Sequence, residues 1–405
     1  MRLSVATNFD DRLIERIREY PVFEVYGKLP ADLVGGGRAS LMLGPLSARD
    51  LRRHIATVHR HGLEFNYLLN AACLDNLELT RGGRRRIHRF LGWLRDLEVD
   101  AVTVAIPFLL EFVKQHFPEF RVRVGVFAEA DHVLNVKHWA AMGADSITLN
   151  SPFVNRELET LAEIRRAATC DLELLVNNSC LQSCPFTAYH KVTLAHASQA
   201  GHASRGFFVD YCYLKCSFLK LLDPVNYVRS DWIRPEDLAR YEALGYTTFK
   251  LTERNAPTEV MALRVKAYAE RRYDGNLLDL VQPFAYPAAV RSGEGRWARL
   301  RRAWWLAKHL DRPWRARWSA LRRVRELARR RGMLEPLPGP PPVVVDNRAL
   351  DGFLDALPRS CRSRDCTECG ICHRWAERAV RIEPGYRAEC LELYGAVFRD
   401  LLSVA

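Results

Sequence analysis

The chain has 405 residues, with 60 Lys+Arg against 48 Asp+Glu and a formal net charge of +12. At 48% hydrophobic and 10% aromatic residues it can bury a large core, which excludes wholesale disorder. No apolar run approaches the roughly 20 residues of a membrane span, and MRLSVATNFDDRLIERIREY turns charged too early for a signal peptide. A cytoplasmic protein is expected.

In chain order, apolar strands are predicted at 3–7, 22–27, 64–70, 101–106, 121–127, 145–150, 172–177 and 247–251. Helical patterns lie between most of them, as at 47–62, 107–117 and 156–168, and a last one at 256–273 would close a ring. Strands alternating with helices argue for a parallel sheet covered by helices, and eight of them favour a (β/α)8 TIM-like barrel over residues 1–285. Between the seventh and eighth strands an insertion of about 70 residues, 178–246, exceeds the usual few-residue loop. It leaves the C-terminal end of a strand, the end at which such barrels place their active sites.

After Pro283 the pattern changes. Residues 286–342 form a basic, Trp-rich connector with helical stretches, followed by the Pro-rich run LEPLPGPPP (334–342). Within it, Arg291 to Arg331 carries 15 Lys+Arg and 3 Asp+Glu, so the other 364 residues balance at 45 of each. The same segment holds five of the nine tryptophans: Trp297, Trp304, Trp305, Trp314 and Trp318. Trp297, Leu300, Trp304 and Ala307 recur at helical spacing, as do Trp314, Trp318 and Leu321, which ordinarily marks a core face. RNA phosphate binding by the arginines and a membrane-surface helix are the other readings. Residues 343–405 form a final Cys-rich module.

The 11 cysteines are clustered. Cys180-x3-Cys184 and Cys212-x3-Cys216 give four thiolates in the insertion, enough for a [4Fe–4S] cluster or a structural zinc, with the loose spacing favouring iron–sulfur. Cys361-x4-Cys366-x2-Cys369-x2-Cys372 has a ferredoxin-like C-x2-C-x2-C core without the usual Cys-Pro. Cys361 supplies its fourth ligand, with Cys390 or His373 as alternatives, and a zinc knuckle is the other reading. Cys73, after the third strand, faces the same barrel mouth or is a buried small side chain. There is no HExxH, G-x-S-x-G, Walker loop or G-x-G-x-x-G, and Gly35–Gly37 reads as a turn.

LELLVNNSC (172–180), Arg205-Gly206, Cys212-x3-Cys216, NVKHWAAMGADSITLN (135–150) and the stretch from Trp232 to Asn276 together resemble the collagenase-like peptidase family, family U number thirty-two. The family was named for proteolysis. Several members are instead iron–sulfur, oxygen-independent hydroxylases of ubiquinone precursors, transfer RNA or ribosomal RNA, or partner subunits of such enzymes. The resemblance implies a [4Fe–4S] cluster on Cys180, Cys184, Cys212 and Cys216, with prephenate as the oxygen-donating co-substrate. It also implies an electron donor and a partner subunit of the same family. The chain departs from the family in its closer first cysteine pair and in Asn150-Ser151-Pro152, where Arg-Glu is usual. The C-terminal module, with a second [4Fe–4S] cluster or zinc, marks a subgroup.

Strand-end residues expected to line the substrate space are Asn8, Asn70, Glu129, Asn177, Lys250 and Arg254. Lys250 and Arg254 are candidate anchors for a carboxylate, or members of a salt bridge that staples the barrel, for example to Glu129. Glu129 and His132 are acid/base candidates. Lys250, Arg254 and Glu129 are therefore the catalytic candidates. A peptidase and a non-catalytic electron-transfer subunit are the competing functions.

Overall fold

The structure, a computed structural model, describes residues 1–204, 206, 208–282, 318–333, 337–358, 360–361 and 364–404. Eight strands, β1 (Arg2–Ala6), β2 (Val22–Gly27), β3 (Glu64–Leu69), β4 (Ala101–Val104), β5 (Arg121–Val124), β6 (Ser146–Thr148), β7 (Asp171–Leu175) and β8 (Thr248–Leu251), close into a barrel. All are parallel, and β1 completes the ring against β8 with Ser4 opposite Lys250. The barrel expected from the strand–helix alternation is present, each strand starting within a residue of its expected position.

Helices form where apolar spacing and caps agree. Ala48–Arg60 begins at Ser47, whose hydroxyl accepts from the Asp50 amide, and buries Leu51, Ile55 and Val58 on one face. Pro107–His116 starts with Pro at its first position and buries Leu109, Leu110 and Val113. The apolar layer between strands and helices is continuous around the ring.

The barrel axis is filled differently. Period-2 alternation turns Ser4, Glu24, Asn66, Thr103, Arg123, Ser146, Glu173 and Lys250 away from that apolar layer, and all are buried. Ser4 Oγ donates to Glu24 Oε1 at 2.5 Å, Arg123 pairs with Glu24 Oε2 at 2.7 Å, and Thr103 donates to Asn66 at 2.9 Å. Lys250 Nζ pairs with Glu173 Oε2 at 3.0 Å and lies 4.3 Å from the centre of the Tyr26 ring. Burial opposes ionisation of Glu173, yet Lys250 and the Thr148 hydroxyl outweigh it and hold its pKa below the ordinary value. Lys250, not Phe249, thus faces the axis, and its partner is Glu173 rather than Glu129.

The C-terminal residues pack onto the barrel side. β9 (Val343–Val345) pairs antiparallel with β10 (Val380–Ile382), and Leu277 N donates to Val345 O at 2.8 Å. Phe353 sits between Trp232 and Trp375, and Arg234 from the insertion donates to Asn347 O at 2.8 Å. The Pro384–Leu402 helix buries Tyr394, Val397 and Phe398 against Leu214 and Leu221 of the insertion and Leu327 of the Trp318–Arg330 helix. Trp297, Trp304, Trp305 and Trp314, and the side chain of Trp318, lie outside the described residues. Among the described residues no helix is long and apolar enough to cross a membrane.

Two measurements test this core. Lys250→Met leaves Glu173 buried and unpaired, so denaturant unfolding should register a loss of about 3–5 kcal/mol, most of it recovered in Lys250→Met/Glu173→Leu. His54 is buried between Thr7 Oγ1 (2.8 Å) and Asp11 Oδ1 (2.6 Å), and burial, outweighing Asp11, lowers its pKa. The unfolded chain then binds the extra proton first, so stability should fall as pH drops through about 6.5, and His54→Gln should flatten that slope.

Candidate iron–sulfur site at the barrel mouth

The insertion leaves β7 at Val176 and folds back over the C-terminal mouth of the barrel. Asn177 anchors its start, with Oδ1 accepting from Thr252 N at 2.7 Å just past β8. Asp231, buried at the insertion's far side, then fixes the first cysteine pair. Its Oδ1 accepts from Cys180 N at 2.7 Å, and its Oδ2 accepts from Ser151 Oγ (2.7 Å) and Asn178 Nδ2 (3.2 Å). Ser183, at φ 50°, donates its amide to Pro152 O at 2.8 Å and turns the chain toward Cys184. The Asn150-Ser151-Pro152 stretch is therefore the seat of the cysteine loop.

The second pair rides on the Tyr211–Leu222 helix, capped by Asp210, whose side chain accepts from Tyr213 N at 2.9 Å. Four-residue spacing puts Cys212 and Cys216 on one helical face, with Lys220 one turn further on. Cys180, Cys184, Cys212 and Cys216 line a single cavity of about 120 Å³, together with Lys220, Arg331, Arg264, Arg38, Glu253 and His190. The four expected ligands are brought together. Lys250, Arg254 and Glu129 do not line that cavity.

The donor set can be compared with the groups it could hold. Two sulfurs bound to one zinc at about 2.3 Å sit about 3.8 Å apart. Four thiols around one cavity with buried cations beside them are a donor set that either a [4Fe–4S] cluster or a structural zinc could use. Burial, Asp210 and the neighbouring thiols push Cys212 up to about 12, and burial pushes Cys216 up to about 11. Such thiols are protonated near neutral pH and are poor free nucleophiles. Lys220 lies buried beside Cys216 and Cys180, and its pKa is lowered by burial despite their pull. Buried cations here would offset the negative charge of a thiolate-bound cluster.

A second group forms behind the first. Cys361, Cys366, Cys369 and Cys372 surround a narrow cavity of about 20 Å³ with His373, Gln182 and Arg229. Cys361 N donates to the buried Glu157 at 3.0 Å, and its thiol hydrogen-bonds to the Gln182 side chain. Cys390 packs instead among Leu214, Tyr394 and Val397, which removes it as a ligand of this group. Gln182 lies between Cys180 and Cys184 in sequence, so one five-residue loop walls both cysteine groups.

The other candidates fall into separate places. Arg254 is buried with Nη1 and Nη2 unpaired, and burial and Arg38 push its pKa down to about 10. Asn70 Oδ1 is likewise buried and unpaired. The Gly35–Gly37 turn lies against both: a Cβ on Gly37 would stand 3.1 Å from Arg254 Nη2, and one on Gly36 2.5 Å from Asn70 Oδ1. All three glycines have positive φ, so the close approach and the turn require them. Glu129 pairs with Lys191 at 3.1 Å, Asn8 donates to Ala256 O and Thr258, and His132 caps the Val133–Ala141 helix. Sequence reasoning missed Asp231, Arg38, Glu253 and Arg331. Lys220 carried a signal, as the next step of a C-x3-C-x3-K helical stripe.

The chain is similar to several known proteins. An uncharacterized protease of Methanocaldococcus jannaschii is 29% identical over 361 residues, covering 89% of this chain and 90% of that protein. The solved structure of a U32 peptidase matches with 20% identity and a TM-score of 0.48, covering 62% of this chain and 93% of its own. A phosphoribosyl anthranilate isomerase of Thermus thermophilus matches at 12% identity and a TM-score of 0.36, covering 67% of this chain and 98% of its own. The model of peptidase family U32 matches residues 36–272. Since that match spans more than half of the chain, the protein belongs to peptidase family U32.

Proposed function

We propose that the protein is an iron–sulfur enzyme of the cytoplasm that carries out oxygen-independent hydroxylation, or related redox chemistry, on a small molecule or RNA. The observation that carries this reading is the convergence of Cys180, Cys184, Cys212 and Cys216, with Lys220 and Arg331, on one cavity at the barrel mouth. A [4Fe–4S] cluster held by all four thiolates would supply one-electron chemistry there. Asp231 holds the first cysteine pair in place, and the Tyr211–Leu222 helix presents the second. Arg254 offers a buried, unpaired guanidinium for a carboxylate-bearing co-substrate such as prephenate, which Arg can grip bidentately, and Asn70 Oδ1 offers an acceptor for a hydroxyl of the same molecule. Lys250, committed to Glu173, acts in this scheme by setting the charge of the barrel floor. Glu129 with Lys191 supplies an exchangeable proton near the same rim.

Cys361, Cys366, Cys369 and Cys372 hold a second cluster, or zinc, in this proposal. Their shared wall with the first group, through Gln182, favours a role as the entry point for electrons from a donor or a partner subunit of the same family. An RNA substrate would be held through Arg291–Arg331. The peptidase reading has one observation on its side: His190, hydrogen-bonded to Asp210 at 3.2 Å, lines the same cavity as the cysteines.

Anaerobic purification with iron and sulfide analysis should give about eight irons per chain, falling by about four in Cys180→Ser/Cys216→Ser. Zinc without sulfide would overturn the redox reading. Casein cleavage that requires His190 would establish the peptidase instead. In calorimetric titration with prephenate, Arg254→Met should abolish binding while leaving the iron content unchanged.

A further inference from the structure

Away from both cysteine groups, the barrel rim carries a third collection of ligating side chains. Cys73 follows β3 in a loop that turns back on itself through Asp75 and Asn76, both with positive φ. The turn brings the Asp75 amide to 3.4 Å from Cys73 Sγ. Facing it, His196 ends the Thr187–His196 helix of the insertion. Cys73 Sγ, an Asp75 carboxylate oxygen and a His196 ring nitrogen all lie within 4.8 Å of one another. His196 Nε2 is buried without a hydrogen-bond partner, standing 3.5 Å from Asp75 Oδ1 without the alignment that a hydrogen bond needs.

His202 completes the surroundings. Its ring stacks on His196 at 4.2 Å between centres, and its Nδ1 accepts from Ser204 N at 3.1 Å. Accepting at Nδ1 leaves the proton on Nε2, which faces Asp75 Oδ2 at 3.4 Å. His202 therefore holds the carboxylate from outside and leaves Oδ1 directed at His196. The two halves are fastened together next to the group, since Gln199 Nε2 donates to Cys73 O at 2.6 Å and to Val34 O at 3.0 Å.

We propose that Cys73, Asp75 and His196 form a mononuclear site for a divalent metal of the zinc type, with His202 as a positioning residue for Asp75. One thiolate, one imidazole and one carboxylate match the borderline-soft preference of zinc rather than of magnesium or calcium. Three protein ligands leave a fourth position for water or a substrate oxygen, the pattern of catalytic rather than structural zinc. Asp75 is 58% exposed, so that position opens to solvent at the rim. The site is independent of the iron–sulfur reading and shares no residue with either cysteine group.

The test uses the full-length protein, freed of loosely held metal and titrated with Zn²⁺ and separately with Co²⁺. Wild type should retain one zinc that Cys73→Ser and His196→Gln each lose, with iron content and circular dichroism unchanged. Cobalt should give a thiolate charge-transfer band that disappears in Cys73→Ser. His202→Gln should weaken zinc binding about tenfold or more, the usual effect of removing an outer partner. Cys366→Ser/Cys369→Ser should keep this zinc, which separates it from a C-terminal knuckle. Equal zinc retention in wild type, Cys73→Ser and His196→Gln would overturn the proposal, as would zinc lost only with the C-terminal cysteines.

Discussion

A buried carboxylate, Asp231, sets the geometry on which the barrel mouth depends. It accepts from the Cys180 amide, the Ser151 hydroxyl and the Asn178 carboxamide, and so ties the insertion to the ends of β6 and β7 at once. Burial raises its pKa against these hydrogen bonds and the pull of Lys220. A buried acid in that position is stable only with its partners in place, so the cysteine loop and the strand ends are fixed together. The Cys212 helix then needs only to pack beside this loop for four sulfurs to share one cavity.

The barrel itself was legible from the sequence because its strands are short, apolar and evenly separated by amphipathic helices, a pattern with few competing folds. The cysteine grouping was legible for a related reason, since thiols spaced along a loop and along one helical face keep that spacing in space. The polar barrel axis was harder to read. Glu24, Arg123, Glu173 and Lys250 sit on different strands, and only closure of the ring decides which pairs with which. That is why Lys250 was matched to the wrong acid: Glu129 lies past the end of β5, whereas Glu173 is on the neighbouring strand, two residues before the position opposite Lys250. Asp231 and Arg331 gave no local signal, since each meets its partners from a distant stretch of chain. Cys73 and His196, 123 positions apart, show the same limit.

The two cysteine groups stand back to back. The Cys180–Cys184 loop presents its ends to one cavity and Gln182 to the other, where it reaches Cys361. Glu157 and Arg156 hold the far side: Glu157 accepts from Ser360 and Cys361, and Arg156 lies 4.2 Å over the Trp232 ring. The C-terminal segment is thus built into the wall of the barrel's functional end, through aromatic packing around Phe353 as well as through polar contacts. A substitution in that wall would be felt on both sides of it.

Gln282 and Arg331 line the same cavity, although the 48 residues between them include most of the basic segment. Two stretches far apart in sequence therefore meet at one cavity. Arg38, Lys220, Arg264 and Arg331 come together in the lining of that cavity. Positive potential concentrated at a cavity entrance raises the arrival rate of anionic partners and makes that rate fall with ionic strength. For an anionic partner the cationic lining of that cavity is, in kinetic terms, a funnel with a fixed address.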